Sequence, residues 1–254
     1  MKVAVILPAA GLGTRMAKGS AEPLAGPPVV PAEKTGTSRK QFMLLDGSPI
    51  LMHTVRKFLA SDRVGAIVIA VRAEDTGWVR EMVAQAVQDG RVRVVEGGNS
   101  RQESVENALA SLGPEYELVA VHDAVRPFID LATIHKVFDE AAASGAAIVA
   151  VPAVDTVKQV TREATHVHVR ATLPREKLVM AQTPQVFRYE LLLRAFQAAR
   201  QDGFIGTDES SMVERLDIEV SVVPGSDRNI KITKPTDMEL AHLFLREETR
   251  SAHS

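Results

Sequence analysis

Residues 3–16 read VAVILPAAGLGTRM, and this stretch decides how the rest of the chain is read. The apolar run 3–7 predicts a buried strand, and it ends directly in a glycine loop. Gly11 and Gly13 carry no Cβ, so the backbone can turn sharply and bring its N–H groups close to a ligand's phosphates. Arg15 follows at once, a planar cation suited to phosphate oxygens. Two better-known templates fail: the loop has no P-loop lysine, and Met16 stands where a dinucleotide fingerprint has its third glycine. Taken alone, the stretch also reads as a plain tight turn from strand to helix.

Outward from that turn, apolar and amphipathic segments alternate. Short buried strands are expected over 66–71, 92–95, 118–121 and 146–151. Helices are expected from Ser48-Pro49 onward, over 75–87, from a Ser100/Glu103 capping box to about 112, and from Asp130 to about 143. Strand and helix alternation predicts an α/β fold with a single doubly wound, mostly parallel sheet. In such a sheet ligands collect outside the carboxyl ends of the strands, where the glycine loop, Gly97-Gly98 and His122-Asp123 all fall. The pattern breaks over 155–175, where two short alternating segments predict a protruding β-hairpin arm. Such an arm cannot bury itself, so a partner subunit is its expected cover. Further on, helices are expected over 189–200, after Thr207-Asp208-Glu209 and from Pro235 to about 246. A strand is expected at 218–223, and residues 247–254 read as a frayed tail.

The chain has 254 residues, enough for one large domain with a sizeable core. A formal charge of −2 argues against a nucleic-acid binder, and the absence of cysteine excludes disulfides and thiolate metal sites. The short first strand is too brief for a signal-peptide core, and no apolar run reaches membrane-spanning length, so a cytoplasmic protein without membrane contact is expected. Pro23, Pro27, Pro28 and Pro31 make residues 17–39 a long loop insertion without regular structure.

Seven separated motifs stand in order: PAAGLGTRM, Lys40-Gln41-Phe42, Gly97-Gly98 with Arg101 and Ser104, VHDAVRPF, Asp155-Thr156, Gln182-Thr183-Pro184-Gln185, and NIKIT at 229–233. Together they resemble the 2-C-methyl-D-erythritol 4-phosphate cytidylyltransferase family, from about residue 2 to 246. The resemblance implies a Rossmann-like nucleotidyltransferase fold and transfer of CMP from CTP to 2-C-methyl-D-erythritol 4-phosphate, with release of pyrophosphate, in the non-mevalonate isoprenoid pathway. It implies Mg²⁺ as cofactor and a homodimer as the working form.

The family's roles carry over residue by residue. Arg15, Lys40 and Lys231 take the catalytic positions, and two anions brought together at one phosphorus do need cations. Ala9, Ala10, Gly11, Gly13, Gly98, Arg101 and Ser104 take the nucleotide side. Thr156, Arg175, Thr183 and Lys231 take the sugar-phosphate side, some of them from the neighbouring subunit's arm. Asp123 takes the metal position, where hard Mg²⁺ would need an oxygen ligand. The bland alternatives are a solvated cation for Lys40, Arg175 or Lys231, a turn or cap aspartate for Asp123, and plain helix surface for Ser104. His122 reads as a hydrogen-bonded structural residue.

Two features depart from the family. The spacer from Arg15 to Lys40 is unusually long, and it reads either as a lid over CTP-Mg²⁺ or as a neutral insertion. Ser226 follows Gly225 where the family often has aspartate, so Asp227 is not counted as a metal ligand. Within enzymes the rival is a cytidylyltransferase for another polyol phosphate such as ribitol 5-phosphate. Outside them it is a catalytically silent nucleotide-binding module.

Overall fold

Strand β1 (Val3–Pro8) has residues 3–7 wholly buried, so both faces of the sheet are covered. In the computed structural model, which describes residues 1–11, 39–162 and 166–251, two layers of helices provide that cover. Val3, Val5 and Leu7 pack on one face, and Ala4 and Ile6 on the other, as the two-residue period of a strand requires.

After β1 come the two-residue strands β2 (Leu44–Leu45) and β3 (Ser48–Pro49), α1 (Ile50–Leu59), β4 (Val64–Val71), α2 (Thr76–Ala86), β5 (Val92–Glu96) and α3 (Arg101–Ala110). There follow β6 (Leu118–Val121), α4 (Leu131–Ser144), β7 (Ala146–Pro152), β8 (Val157–Arg162), β9 (Val167–Leu173), β10 (Val179–Arg188), α5 (Tyr189–Gln201), α6 (Glu209–Glu214), β11 (Ser221–Pro224) and α7 (Pro235–Ser251). The central sheet has seven strands in the order β11-β7-β10-β6-β1-β4-β5. All run parallel except β10, which is antiparallel to both β6 and β7. Helices α1, α2 and α4 cover one face and α3, α5 and α6 the other. Helix α7 shares a smaller third cluster with Leu45, Ile50, Val125, Phe128 and Ile232. None of the described helices is long and apolar enough to cross a membrane.

The α/β sheet, its mostly parallel sense and the hairpin β8–β9 agree with expectation, and three local readings are corrected. Strand β10 was not foreseen, because a central strand does not normally contain a proline. Pro184 falls where the β10–β7 register breaks, between Ala181 and Gln185, so no ladder bond depends on its missing N–H. Pro49, not Ser48, caps α1, which begins at Ile50, and Ser48-Pro49 pairs with Leu44–Leu45 across Asp46-Gly47, both at positive φ. An Asp-Gly pair is the usual chemistry of such a two-residue turn. Residues 247–251 are not frayed: α7 continues through them, with Glu247 paired to Arg228 and Glu248 to Lys57.

Candidate active site

The glycine turn is held from an unexpected quarter. Gln41 sits in a single 3-10 turn, Lys40–Phe42, and its Nε2 donates to the carbonyls of Ala9 (2.5 Å) and Gly11 (3.2 Å). Arg72, at the end of β4, donates to the Ala10 carbonyl at 3.2 Å. The Ala9 N–H donates to the Ala70 carbonyl at 2.7 Å, continuing the β1–β4 ladder beyond the strand. Gln41 therefore brings the backbone of half-buried Lys40 to the mouth of the turn, however long the intervening chain. Gly13, Arg15 and the proposed lid lie outside the described residues.

Beside it, β5 ends in Gly97-Gly98. A Cβ on Gly97 would stand 3.1 Å from the Ala10 Cβ and 2.9 Å from Ser104 Oγ, so glycine is what lets the two turns touch. Ser104 is buried, not helix surface. Its Oγ accepts from the Gly98 N–H (3.1 Å) and donates to the Ser100 carbonyl (2.7 Å). Ser100 caps α3 by accepting from the Glu103 N–H (3.0 Å), while the Glu103 carboxylate accepts from Asn99 N–H (2.7 Å). The expected capping box is thus present, with its return bond one residue early.

The charged half begins where β6 ends. The Asp123 carboxylate faces Lys231 Nζ at 2.9 Å, Arg126 Nε at 3.2 Å and Arg101 Nε at 3.7 Å. Burial alone would raise its pKa, but these three cations overcome that and hold the group well below the usual carboxylate range. Lys231 is fixed by its own segment. Asn229 Nδ2 donates to Gln182 Oε1 and the Thr183 carbonyl, Arg126 Nη1 donates to the Asn229 carbonyl, and the Ile232 N–H donates to the Val125 carbonyl.

Beneath the carboxylate lies a directional relay. His122 Nε2 faces the Arg126 carbonyl at 3.0 Å, which can only accept, so Nε2 carries the proton and Nδ1 accepts. The Thr183 hydroxyl, 3.1 Å away, therefore donates to Nδ1, and it accepts from the Asp123 N–H at 3.0 Å. Burial lowers the His122 pKa to about 4, so the ring is neutral near pH 7. The donor role expected of Thr183 is corrected for this arrangement, since its one proton is committed to His122.

Lys231, Asp123, Arg101 and Thr183 are thus brought together, and Ala9, Ala10, Gly11, Gly98 and Ser104 gather at the neighbouring strand ends. Thr156 and Arg175 are not joined to them. Both are exposed at the root of the hairpin, and Arg175 Nη1 donates to the Val154 carbonyl at 2.6 Å. Among the described residues no three His, Asp or Glu side chains cluster as a ready metal cage.

A family model described as 2-C-methyl-D-erythritol 4-phosphate cytidylyltransferase matches residues 3–247. The chain belongs to this family. A cytidylyltransferase of that name from Solibacter usitatus is 82% identical over 248 residues, covering 98% of this chain and 97% of its relative. One from Acidobacterium capsulatum is 50% identical, covering 98% and 99%. Among solved structures, the enzyme of that name from Francisella tularensis superposes with a TM-score of 0.75 at 31% identity, over 96% of this chain and 99% of that one. The Thermus thermophilus enzyme of that name gives 0.73 at 28%, over 97% and 100%.

Sequence reasoning passed over Glu209, Gln185 and Asn229 as site residues and took Gln41 only as a motif neighbour. The Lys-Gln-Phe and Asn-x-Lys patterns could have flagged Gln41 and Asn229. Glu209 carried no usable signal, because an acidic residue in the first turn of a short helix is ordinary.

Proposed function

We propose that this single nucleotidyltransferase domain works as a cytoplasmic homodimer and transfers CMP from CTP to 2-C-methyl-D-erythritol 4-phosphate. The observation that carries the reading is the Asp123 carboxylate ringed by Lys231, Arg126 and Arg101 at the carboxyl ends of the strands, in a chain of this family. An acceptor phosphate oxygen attacks the α-phosphorus. The new P–O bond forms as the bond to the bridging oxygen breaks, and pyrophosphate leaves with that electron pair.

The chain's own residues bind, orient and neutralise. Lys231 has three N–H donors, and one of them lies on Asp123, which leaves two for phosphate oxygens. Lys40, brought to the glycine turn by Gln41, and Arg15, placed by the resemblance alone, bracket the α-phosphate. Backbone N–H groups of the glycine turn face the triphosphate. By the resemblance, Ala9, Ala10, Gly98, Arg101 and Ser104 lie on the cytosine side, where a small site would favour a pyrimidine over a purine by size. Asp123 fits a divalent cation of the Mg²⁺ type, which takes one or two carboxylates and completes its shell from phosphates and water. Such a cation would lessen the negative charge on the triphosphate.

Thr156 and Arg175 complete the acceptor side from the partner's hairpin. The support is their exposure, together with the uncovered Val160, Val167 and Val169 of the same arm. The test is pyrophosphate release from CTP and Mg²⁺ with each candidate polyol phosphate. Release with 2-C-methyl-D-erythritol 4-phosphate is expected. Release only with ribitol 5-phosphate would move the chain to the rival activity, and CTP binding without release to any acceptor would make it a silent module.

A further inference from the structure

Glu209 is 0% exposed, yet it is ionisable. Its Oε1 and Oε2 accept from Arg101 Nη1 (2.7 Å) and Nη2 (2.9 Å). A guanidinium has two bidentate edges, an end edge made by the two terminal nitrogens and a side edge that includes Nε. Glu209 occupies the end edge. The side edge is left toward Asp123, whose Oδ1 stands 3.7 Å from Arg101 Nε.

We propose that Glu209 is a positioning residue for nucleotidyl transfer: its carboxylate holds Arg101 by the end edge, which keeps the side edge at 3.7 Å from Asp123, free to meet the nucleotide without closing further on that carboxylate. The inference rests on the proposed use of CTP and adds a residue to that machinery.

Two observations support it. The start of α6 is built independently of Arg101. Gln185 Nε2 donates to Asp208 Oδ2 (2.8 Å), Gln185 Oε1 accepts from the Ser210 N–H (3.0 Å), and Asp208 Oδ1 accepts from the Ser211 N–H (3.1 Å). Glu209 is therefore a fixed post to which a flexible side chain is tied. Stability, moreover, is a poor reason for the pair. Burial pushes the Glu209 carboxyl up while the Arg101 charge pulls it back, and a well-packed apolar pair often serves a fold as well as a buried ion pair. Without Glu209, the nearest anion for Arg101 is Asp123, which would compete with any cation or phosphate there.

Steady-state kinetics of Glu209→Gln test this against the wild-type enzyme in the same assay. The KM for CTP and the Mg²⁺ concentration for half-maximal rate are expected to rise about tenfold or more, with the KM for the acceptor within about twofold of wild type. A merely structural role would lower the active fraction and leave every KM alone, and that result overturns the inference. If E209Q does not fold, the double variant Arg101→Met/Glu209→Leu removes both charges together. A KM for CTP in the double variant no higher than in Arg101→Met alone supports the proposal, because Glu209 then acts only through Arg101, and a KM raised well beyond that of Arg101→Met overturns it. Wild-type protein inactive with CTP would instead refute the underlying function.

Discussion

The Asp123 cluster and the β8–β9 hairpin stand at opposite extremes of preparation. Around Asp123, three cations, an oriented neutral histidine and a strapped lysine segment are all supplied by one chain. The hairpin is the reverse. Val160 and Val169 pair across it yet stand 38% and 64% exposed, and the exposed Arg175 donates to a backbone carbonyl. The Asp123 cluster is preorganised within one chain, whereas the hairpin proposed to complete the site exposes its valines in this chain. An isolated two-stranded ribbon is marginal in water, which points to completion by a second copy.

The largest effect is expected from breaking the prepared half. Lys231→Ala removes a cation proposed to meet the reacting phosphates and should lower turnover by about 10²–10³, with CTP binding changed far less. Turnover from a quenched assay and CTP affinity from calorimetry separate the two. Equal losses in both would make Lys231 a ground-state ligand only. A middle-sized effect is expected at the hairpin. Val169→Asp puts a charge on the uncovered face, so sedimentation should show dissociation toward monomer, while the melting temperature of the central fold stays close to wild type. A dimer that survives this change would locate the interface elsewhere.

What could be read beforehand follows the range of the interactions. β6 was expected at the residues it occupies, because an apolar run bounded by polar residues is a local signal. β10 was not, because Pro184 speaks against a central strand until the register break beside it is seen. The Asp46-Gly47 hairpin was legible and overlooked, its signal outweighed by the Ser-Pro cap pattern next to it. α7 outlasts its expected end through Lys57 and Arg228, both distant in sequence. In the site, Asp123 and Lys231 came from their motifs. The Thr183 proton was invisible, because its direction depends on a carbonyl at Arg126 that fixes the His122 tautomer.

The smallest expected effect tests the nucleotide turn. Ser100→Ala removes the α3 cap and should cost about 1 kcal/mol in a denaturant titration, leaving dimerisation untouched. A loss several times larger would mean that the Gly97-Gly98 turn depends on this cap and not mainly on Ser104.

The most direct test of a site completed by two chains is subunit mixing. Lys231→Ala and Arg175→Ala proteins, each weakly active alone, are unfolded together, refolded as a mixture and assayed for pyrophosphate release. If Arg175 acts across the interface, half the dimers are mixed and each holds one native site, so about a quarter of wild-type activity should return. Activity no higher than the mean of the two separate variants would contradict the account and put both residues in the same chain's site.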